Sequence, residues 1–278
     1  MDPQLRSNGS NTRPAAPPAT RLPTRSRVAG KVERVLNTAL DGERAAMLNV
    51  TAAELLADAP AVAAVMESAL DRPGVGVMGH WLAQELLRRS RLQDELLNSL
   101  ASPNPVTRAS AARLCGSARI SDAAIWVADL LDDSNPRVRD AAVRALSQLG
   151  GRRAVEALMA AGEKMPLYRL AIALSRAASD LDIEALMRKP ASEREAIATV
   201  LACGLRRDVL RVSPLLGIAH DRRWPRQVRV AACKALATIG DRAAADGLKR
   251  LALYDPDPNV KGGAERAHRR LVKRAVAR

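Results

Sequence analysis

Side chains that carry catalytic or metal chemistry are few in this chain and lie far apart. The three histidines have no other histidine or cysteine at helical spacing, so no zinc or di-iron site is predicted; they are His80, His220 and His268. Asp132 and Asp133 are adjacent carboxylates in a predicted loop, where such a pair more often flanks a helix than forms a catalytic dyad. Phosphate-binding motifs rich in glycine do not occur. We therefore predict a protein that is not an enzyme and binds no metal or cofactor.

The cysteines are too few and too widely spaced for a disulfide framework or a zinc site; they are Cys115, Cys203 and Cys233. Each lies on or beside the apolar face of a predicted helix, where a free cysteine acts as a small hydrophobic residue. Free thiols indicate a reducing compartment, and we predict a cytoplasmic protein.

A periodic column of side chains indicates binding instead. Its members recur about every thirty residues: Trp81, Arg113, Arg144, Ala173, Cys203, Lys234 and Arg266. On helices this position points away from the apolar stripe, and stacked helices lie about 8–10 Å apart. The column therefore predicts a basic track, interrupted in its middle, along one face. Ordinary solvated arginine and lysine are the alternative interpretation.

A repeated helical segment positions these side chains. In its central copy an apolar stripe begins at Val138 and continues through Ala141, Ala142, Ala145 and Leu146. Equivalent stripes begin 29 to 32 residues apart, at Val75, Thr107, Leu167, Ile197, Val228 and Val260. A fixed period in this range is typical of stacked units, and strand patterns are absent. The sequence predicts an all-α fold, an α-solenoid of about seven helix pairs.

Three regions are predicted along the chain. Residues 1–27 are rich in Arg, Pro and Ser and predict a disordered tail, with an organellar transit peptide as the alternative. Residues 28–59 predict an N-terminal helical cap, and residues 60–276 the solenoid. The solenoid opens with a first helix at 61–71; second helices follow at 75–90, 105–118, 136–149, 166–178, 192–205, 225–239 and 258–276. Trp126, in an apolar triplet, is predicted to lie in the core.

The net charge of +14 is concentrated at the two ends. Residues 1–34 carry +5 and residues 261–278 carry +6, which leaves +3 for the body. The last helix contributes Arg266, Arg269 and Arg270 as candidate binding residues. Basic ends permit nucleic-acid binding, although a groove binder more often spreads its charge along the body. No run of 18 apolar residues occurs, so we predict no membrane span.

The segment at 132–150 resembles a HEAT repeat, particularly the short type of phycobilisome-lyase-like proteins. It combines Asn135-Pro136 with Val138-Arg139 and ends in Leu149-Gly150. The units at 225–240 and 256–267 are similar but partial. One branch of HEAT-like proteins is a metal-dependent hydroxylase with His-Glu pairs. Here no histidine is followed by glutamate, so that activity is not expected.

The resemblance also implies a ladder of aspartate and arginine that joins neighbouring units. Asp133 with Arg139 fits this pattern, and Asp255 with Lys261 fits with lysine substituted. Position 223 is arginine where the aspartate is expected, so the ladder is predicted to break at Arg229. These residues are structural by the logic of the family.

Together these features predict a non-catalytic scaffold that presents its repeat surface to another protein. One alternative is sequence-independent nucleic-acid binding through the basic ends and the column. Another, implied by the resemblance alone, is a lyase-like accessory subunit.

Overall fold

The computed structural model describes residues 26–42 and 47–276. These residues form sixteen α-helices and no strand, which confirms the all-α solenoid. Of the predicted disordered tail, residues 1–25 lie outside the described part, and the division between cap and solenoid stays a prediction. The helices are α1 (Arg27–Leu40), α2 (Ala52–Ala57), α3 (Ala59–Leu70), α4 (Gly76–Arg89), α5 (Leu92–Ser99), α6 (Pro105–Ser117), α7 (Ala124–Asp129), α8 (Pro136–Leu149), α9 (Gly151–Ala160), α10 (Leu167–Ala177), α11 (Asp180–Arg188), α12 (Glu193–Arg206), α13 (Val212–His220), α14 (Arg226–Ile239), α15 (Ala245–Tyr254) and α16 (Pro258–Val276).

Local sequence signals fix where the helices begin and end. The side chain of Asn135 accepts a hydrogen bond from the backbone N–H of Arg137 at 2.9 Å, and Pro136 occupies the first position of α8. Asn104 and Pro105 start α6 in the same way. Gly150 ends α8 with a positive φ of 65°, a conformation that glycine adopts without strain. The predicted bounds of α8 therefore agree with the structure.

The helices stack in two layers. In the first layer, successive helices pack against each other in the order α6, α8, α10, α12, α14 and α16. We call this continuous stack the inner row. In the second layer, each helix packs against the inner helix that follows it in the chain. We call these the outer helices; they are α5, α7, α9, α11, α13 and α15, and neighbouring outer helices have few contacts. The inner row is therefore the continuous layer of the stack, and the outer helices cover one side of it.

The first predicted helix pair is present, but its two helices exchange places. α3 packs against α6 and extends the inner row, whereas α4 packs against α1 and α5. Their burial explains the exchange, because Met66 of α3 is 3% exposed and Met78 of α4 is 66% exposed. The stripe predicted to begin at Val75 is therefore not equivalent to the stripe at Val138.

Small residues allow the inner helices to approach closely. A Cβ atom added at Gly116 of α6 would lie 2.6 Å from the Cα atom of Ala145 in α8. A Cβ atom at Gly204 of α12 would lie 2.8 Å from the Cα atom of Ala235 in α14. Both distances are shorter than real Cβ contacts, so the backbones meet at these points because the side chains are absent.

Arginine and aspartate join neighbouring units, but in a different pairing from the one expected. Arg108 of α6 donates two hydrogen bonds to Asp133, at 2.7 and 3.0 Å, and Asp133 lies in the loop before α8. Arg229 of α14 donates to Asp255 in the loop before α16, and both side chains are at most 5% exposed. Each arginine therefore reaches forward to the aspartate of the following unit.

Three ladder expectations are corrected by this arrangement. Arg139 donates to the backbone carbonyl of Asp133 at 2.7 Å, not to its carboxylate. Lys261 makes no ion pair among the described residues. The predicted break at Arg229 is wrong, because its partner comes from the next unit and not from the loop before its own helix.

The aspartate that is expected at position 223, before α14, is present at a shifted position. Asp221 accepts a hydrogen bond from the backbone N–H of Arg223 at 2.9 Å, as Asp133 does from Asn135 at 2.8 Å. The carboxylate of Asp221 then pairs with Arg223 of its own loop. Since the loop before α14 is longer, counting residues back from the helix identifies the wrong position.

Candidate functional site

The inner face is the exposed side of the inner row, opposite its buried stripe. In α8 the stripe residues Val138 and Leu146 are fully buried, whereas Arg137, Asp140 and Arg144 are exposed on the opposite side. Spacings of three and four residues place these three on one helical face. Arg113 of α6, Lys234 of α14 and Arg266 of α16 occupy the same position as Arg144. The structure therefore brings these four predicted column residues onto one face.

Two predicted members of the column lie in the core instead. Ala173 and Cys203 are 2% and 0% exposed. The position equivalent to Arg144 is held by Ile172 in α10 and Leu201 in α12. The middle of the column is therefore occupied by larger apolar side chains than the sequence analysis assigned to it.

The shift in α12 follows from its contact with α14. Gly204 meets Ala235 as Gly116 meets Ala145, yet Gly204 comes only seven residues after Ile197, whereas Gly116 comes nine after Thr107. The stripe of α12 thus begins two residues earlier than predicted. Ile197 is therefore not the first residue of that stripe, although it is only 8% exposed and belongs to the hydrophobic core.

An aromatic side chain crosses the middle of the inner face. The Lys234 ammonium of α14 lies 5.6 Å from the centroid of the Tyr168 ring of α10, which is within cation–π range. These helices are separated by α12, so the two side chains meet above it. Ile197 and Leu201 of α12, the helix between them, are 8% and 9% exposed and belong to the hydrophobic core. The centre of the inner face is therefore an apolar, tyrosine-covered surface.

The N-terminal groove is a depression of about 520 Å³ on the inner face between α3, α6 and α8. Leu56, Pro60 and Val106 contribute apolar surface to it, and Val106 is 67% exposed. Arg113, Arg137 and Arg144 line it as well. Arg137 and Val106 are not among the predicted binding residues, although both share a helical face with residues of the predicted column.

The cations of the inner face differ in how they are neutralised. Within the described residues, Arg113, Arg144 and Arg266 form no ion pair. On the last helix Arg269 pairs with Glu265 at 2.6 Å, and Arg270 is exposed and forms no ion pair with a described residue. Positive charge therefore lies on both sides of the apolar centre.

Trp81 does not belong to this face. It lies on α4, outside the inner row, and is 55% exposed beside Val77 and Met78. Its displacement follows from the exchanged positions of α3 and α4.

The three cysteines of the chain are buried, and their thiols are unreactive. Burial raises the pKa of the Cys115 and Cys233 thiols to about 12 and that of Cys203 to about 11, which keeps all three protonated. In residues 26–42 and 47–276, no three His, Cys, Asp or Glu side chains are grouped so that they could hold a metal ion. Over the same residues, no helix combines the length and apolar character needed to cross a bilayer.

The two-layered stack of paired helices, with arginine–aspartate links between units, defines a helical-repeat protein. The chain belongs to the HEAT-repeat family: the family model for HEAT repeats matches residues 94–176 and 182–269, more than half of its length. This confirms the resemblance noted in the sequence. The finer likeness to phycobilisome-lyase-like proteins stays a prediction.

Solved structures similar to the chain include human deoxyhypusine hydroxylase in complex with glycerol, at 17% identity and a TM-score of 0.35. That alignment covers 88% of this chain and 97% of the hydroxylase chain. An engineered protein aligns at 18% identity with a TM-score of 0.32, over 87% of this chain and 96% of that one. Among curated proteins, no significant match is found.

Proposed function

We propose that this HEAT-repeat chain is a non-catalytic scaffold whose inner face binds another protein. The observation that carries the proposal is the composition of that face, an apolar centre with cations on both sides that form no ion pair with a described residue. Protein interfaces combine a desolvated apolar or aromatic core with a polar rim in which arginine is frequent. Solenoids commonly use their concave surface in this way.

The centre of the inner face has the features of an interface core. Tyr168 is 52% exposed and Ile172 is 38% exposed, so a partner can bury both. Their backbone is held by α10, whose opposite side is packed into the core through Leu170 and Leu174. The two side chains are therefore presented on a rigid element.

Site-specific crosslinking in cells tests the proposal. A photoreactive amino acid at Ile172 should capture one discrete protein, which mass spectrometry then identifies. Ile125, which is 51% exposed on the outer helix α7, is the matched control position and should capture no such protein. Capture through Ile125 but not through Ile172 would contradict the assignment of the inner face.

Nucleic-acid binding is the second candidate, favoured by the unpaired Arg266 and Arg270 near the end of the stack. The apolar centre weighs against it, because it reduces the number of phosphates that cations of this face can neutralise along a strand. The same crosslinking experiment separates the two functions. A nuclease-sensitive product at Ile172 that disappears as salt is raised would establish the nucleic-acid function in place of the scaffold. A lyase-like accessory role rests on the resemblance of residues 121–150 alone.

A further inference from the structure

The N-terminal groove has apolar residues on its floor and arginines along its wall. An inference about its ligand extends the proposed function and rests on it. Its floor contains Leu56 of α2, Pro60 of α3 and the exposed Val106 of α6. Residues of α2 and α3 line the groove together with the exposed sides of α6 and α8. A single apolar side chain of a ligand fits on such a floor.

The arginines of the wall are not neutralised by the protein itself. Within the described residues, Arg113, Arg137 and Arg144 form no ion pair. Among the described residues that line the groove, Asp140 is the one carboxylate, and it pairs with Arg169 of α10 at 2.6 Å. The groove therefore presents three guanidinium groups to a ligand with a surplus of positive charge.

We propose that the N-terminal groove binds a short acidic peptide segment of the partner protein. An apolar side chain of the peptide rests on the floor at Val106, and neighbouring carboxylates accept hydrogen bonds from the arginines.

The spacing of the arginines favours several carboxylates over one phosphate group. Arg137 and Arg144 are seven residues apart on α8, which separates their backbones by about 10 Å along the helix axis. One phosphate contacts both guanidinium groups only if the two side chains converge on it, whereas carboxylates on successive turns or residues of a peptide match the spacing of extended side chains.

Selection from a display library of random peptides on the full chain tests this proposal without knowledge of the partner. The enriched sequences should place Asp or Glu next to Leu, Ile or Phe. The enriched peptides, made synthetically with a fluorescent label, then report affinity by anisotropy. Replacing their acidic residues with the corresponding amides should abolish binding, and replacing one with phosphoserine compares the two oxyanions directly.

Variants of the exposed groove residues connect the binding to this site. Arg137→Gln and Arg144→Gln should each weaken binding about tenfold. Val106→Asp should also weaken it, because it places a negative charge on the floor where the apolar side chain binds. Arg153→Gln is the matched control, since Arg153 is exposed on the outer helix α9 and forms no ion pair with a described residue. Its affinity should equal that of the wild type.

Enriched peptides without acidic residues, or no enrichment at all, would overturn the proposal. Equal binding by the wild type and the groove variants would do the same, provided that circular dichroism shows all of them folded. Tighter binding by a singly phosphorylated peptide than by its acidic counterpart would overturn the choice of carboxylates. None of these results affects partner capture at Ile172, so a failure of this inference is distinguishable from a failure of the scaffold function.

Discussion

Asp133 shows how a single residue can stabilise two units at once. Its carboxylate accepts two hydrogen bonds from Arg108 in the preceding unit and one from the backbone N–H of Asn135 in its own loop. Its side chain is 7% exposed. The hydrogen bonds from Arg108, followed by that from Asn135, outweigh desolvation and lower the pKa of the Asp133 carboxyl. The ionised form of Asp133 therefore makes the link between the two units.

The lowered pKa of Asp133 predicts a pH dependence of stability. A carboxyl whose folded-state pKa is below its unfolded value stabilises the fold at neutral pH, and this contribution is lost as pH falls below about 4 through the lowered pKa. Asp133→Asn should therefore lower the thermal midpoint by about 5 °C at pH 7. The difference from the wild type should shrink in acid, as measured by circular dichroism.

Asp140→Asn is the matched control for this experiment. Asp140 also pairs with an arginine of a neighbouring unit, Arg169, but its side chain is 61% exposed. Exposed pairs contribute little, so its midpoint should stay within about 2 °C of the wild type. Equal effects of the two substitutions would show that burial does not set the strength of the ion pair between Asp133 and Arg108.

At the scale of helices, the inner row depends on close contact between α6 and α8. Gly116→Ala should destabilise the protein by about 1–3 kcal/mol, because the new methyl group meets the backbone at Ala145 and the Oε1 atom of Gln148. Gly217→Ala in α13 is the control, since no atom lies within 4 Å of its added Cβ. That substitution should stabilise the protein by about 0.5–1 kcal/mol. Chemical denaturation measures both, and effects of the same sign would contradict this account of the packing.

Most of the helices could be predicted from the sequence because their ends carry strong signals. Asn135-Pro136 and Gly150 mark both ends of α8, and its stripe is separated from an exposed face that contains Arg144. In α12 all nine residues from 196 to 204 are buried. Because this part of α12 has no exposed side, its apolar pattern does not show which residue begins the buried stripe. This explains the shift of two residues at Ile197.

Other parts of the site depend on contacts that sequence spacing does not reveal. The pairing of Arg229 with Asp255 joins residues of different units, so a motif within one unit cannot identify it. Trp126 was expected in the core, but it is 47% exposed while the adjacent Val127 is fully buried. Successive residues of a helix point about 100° apart, so an apolar triplet cannot be buried throughout by one packing surface.

At the scale of the whole molecule, stability is distributed along the stack. Each unit packs mainly on its neighbours, so opening should be easier near an end than at the centre. The three buried thiols report on this, because a labelling reagent reaches them only when their unit opens. Cys115 lies in α6, Cys203 in α12 and Cys233 in α14.

Pulsed thiol labelling of single-cysteine variants should show that Cys233 reacts faster than Cys203. Among the described residues, one helix pair, α15 and α16, follows α14, whereas two helix pairs follow α12 and several precede it. Both thiols regain an ordinary pKa once exposed, so the opening rate and not their chemistry sets the difference. Equal rates at the three cysteines would indicate a single cooperative opening of the whole solenoid.

The contact between Tyr168 and Lys234 gives the inner face its own spectroscopic signal. The chain has two tyrosines and no phenylalanine, so the aromatic region of its proton NMR spectrum is unusually sparse. A partner that enters the centre of the inner face must move the Tyr168 ring or bury it, and either event changes the chemical shifts of the ring protons. Tyr254 lies on the outer helix α15, where it is 77% exposed, and it serves as an internal reference in the same spectrum. Occupancy of the inner face can thus be followed on the unmodified protein, without a label and without a substitution.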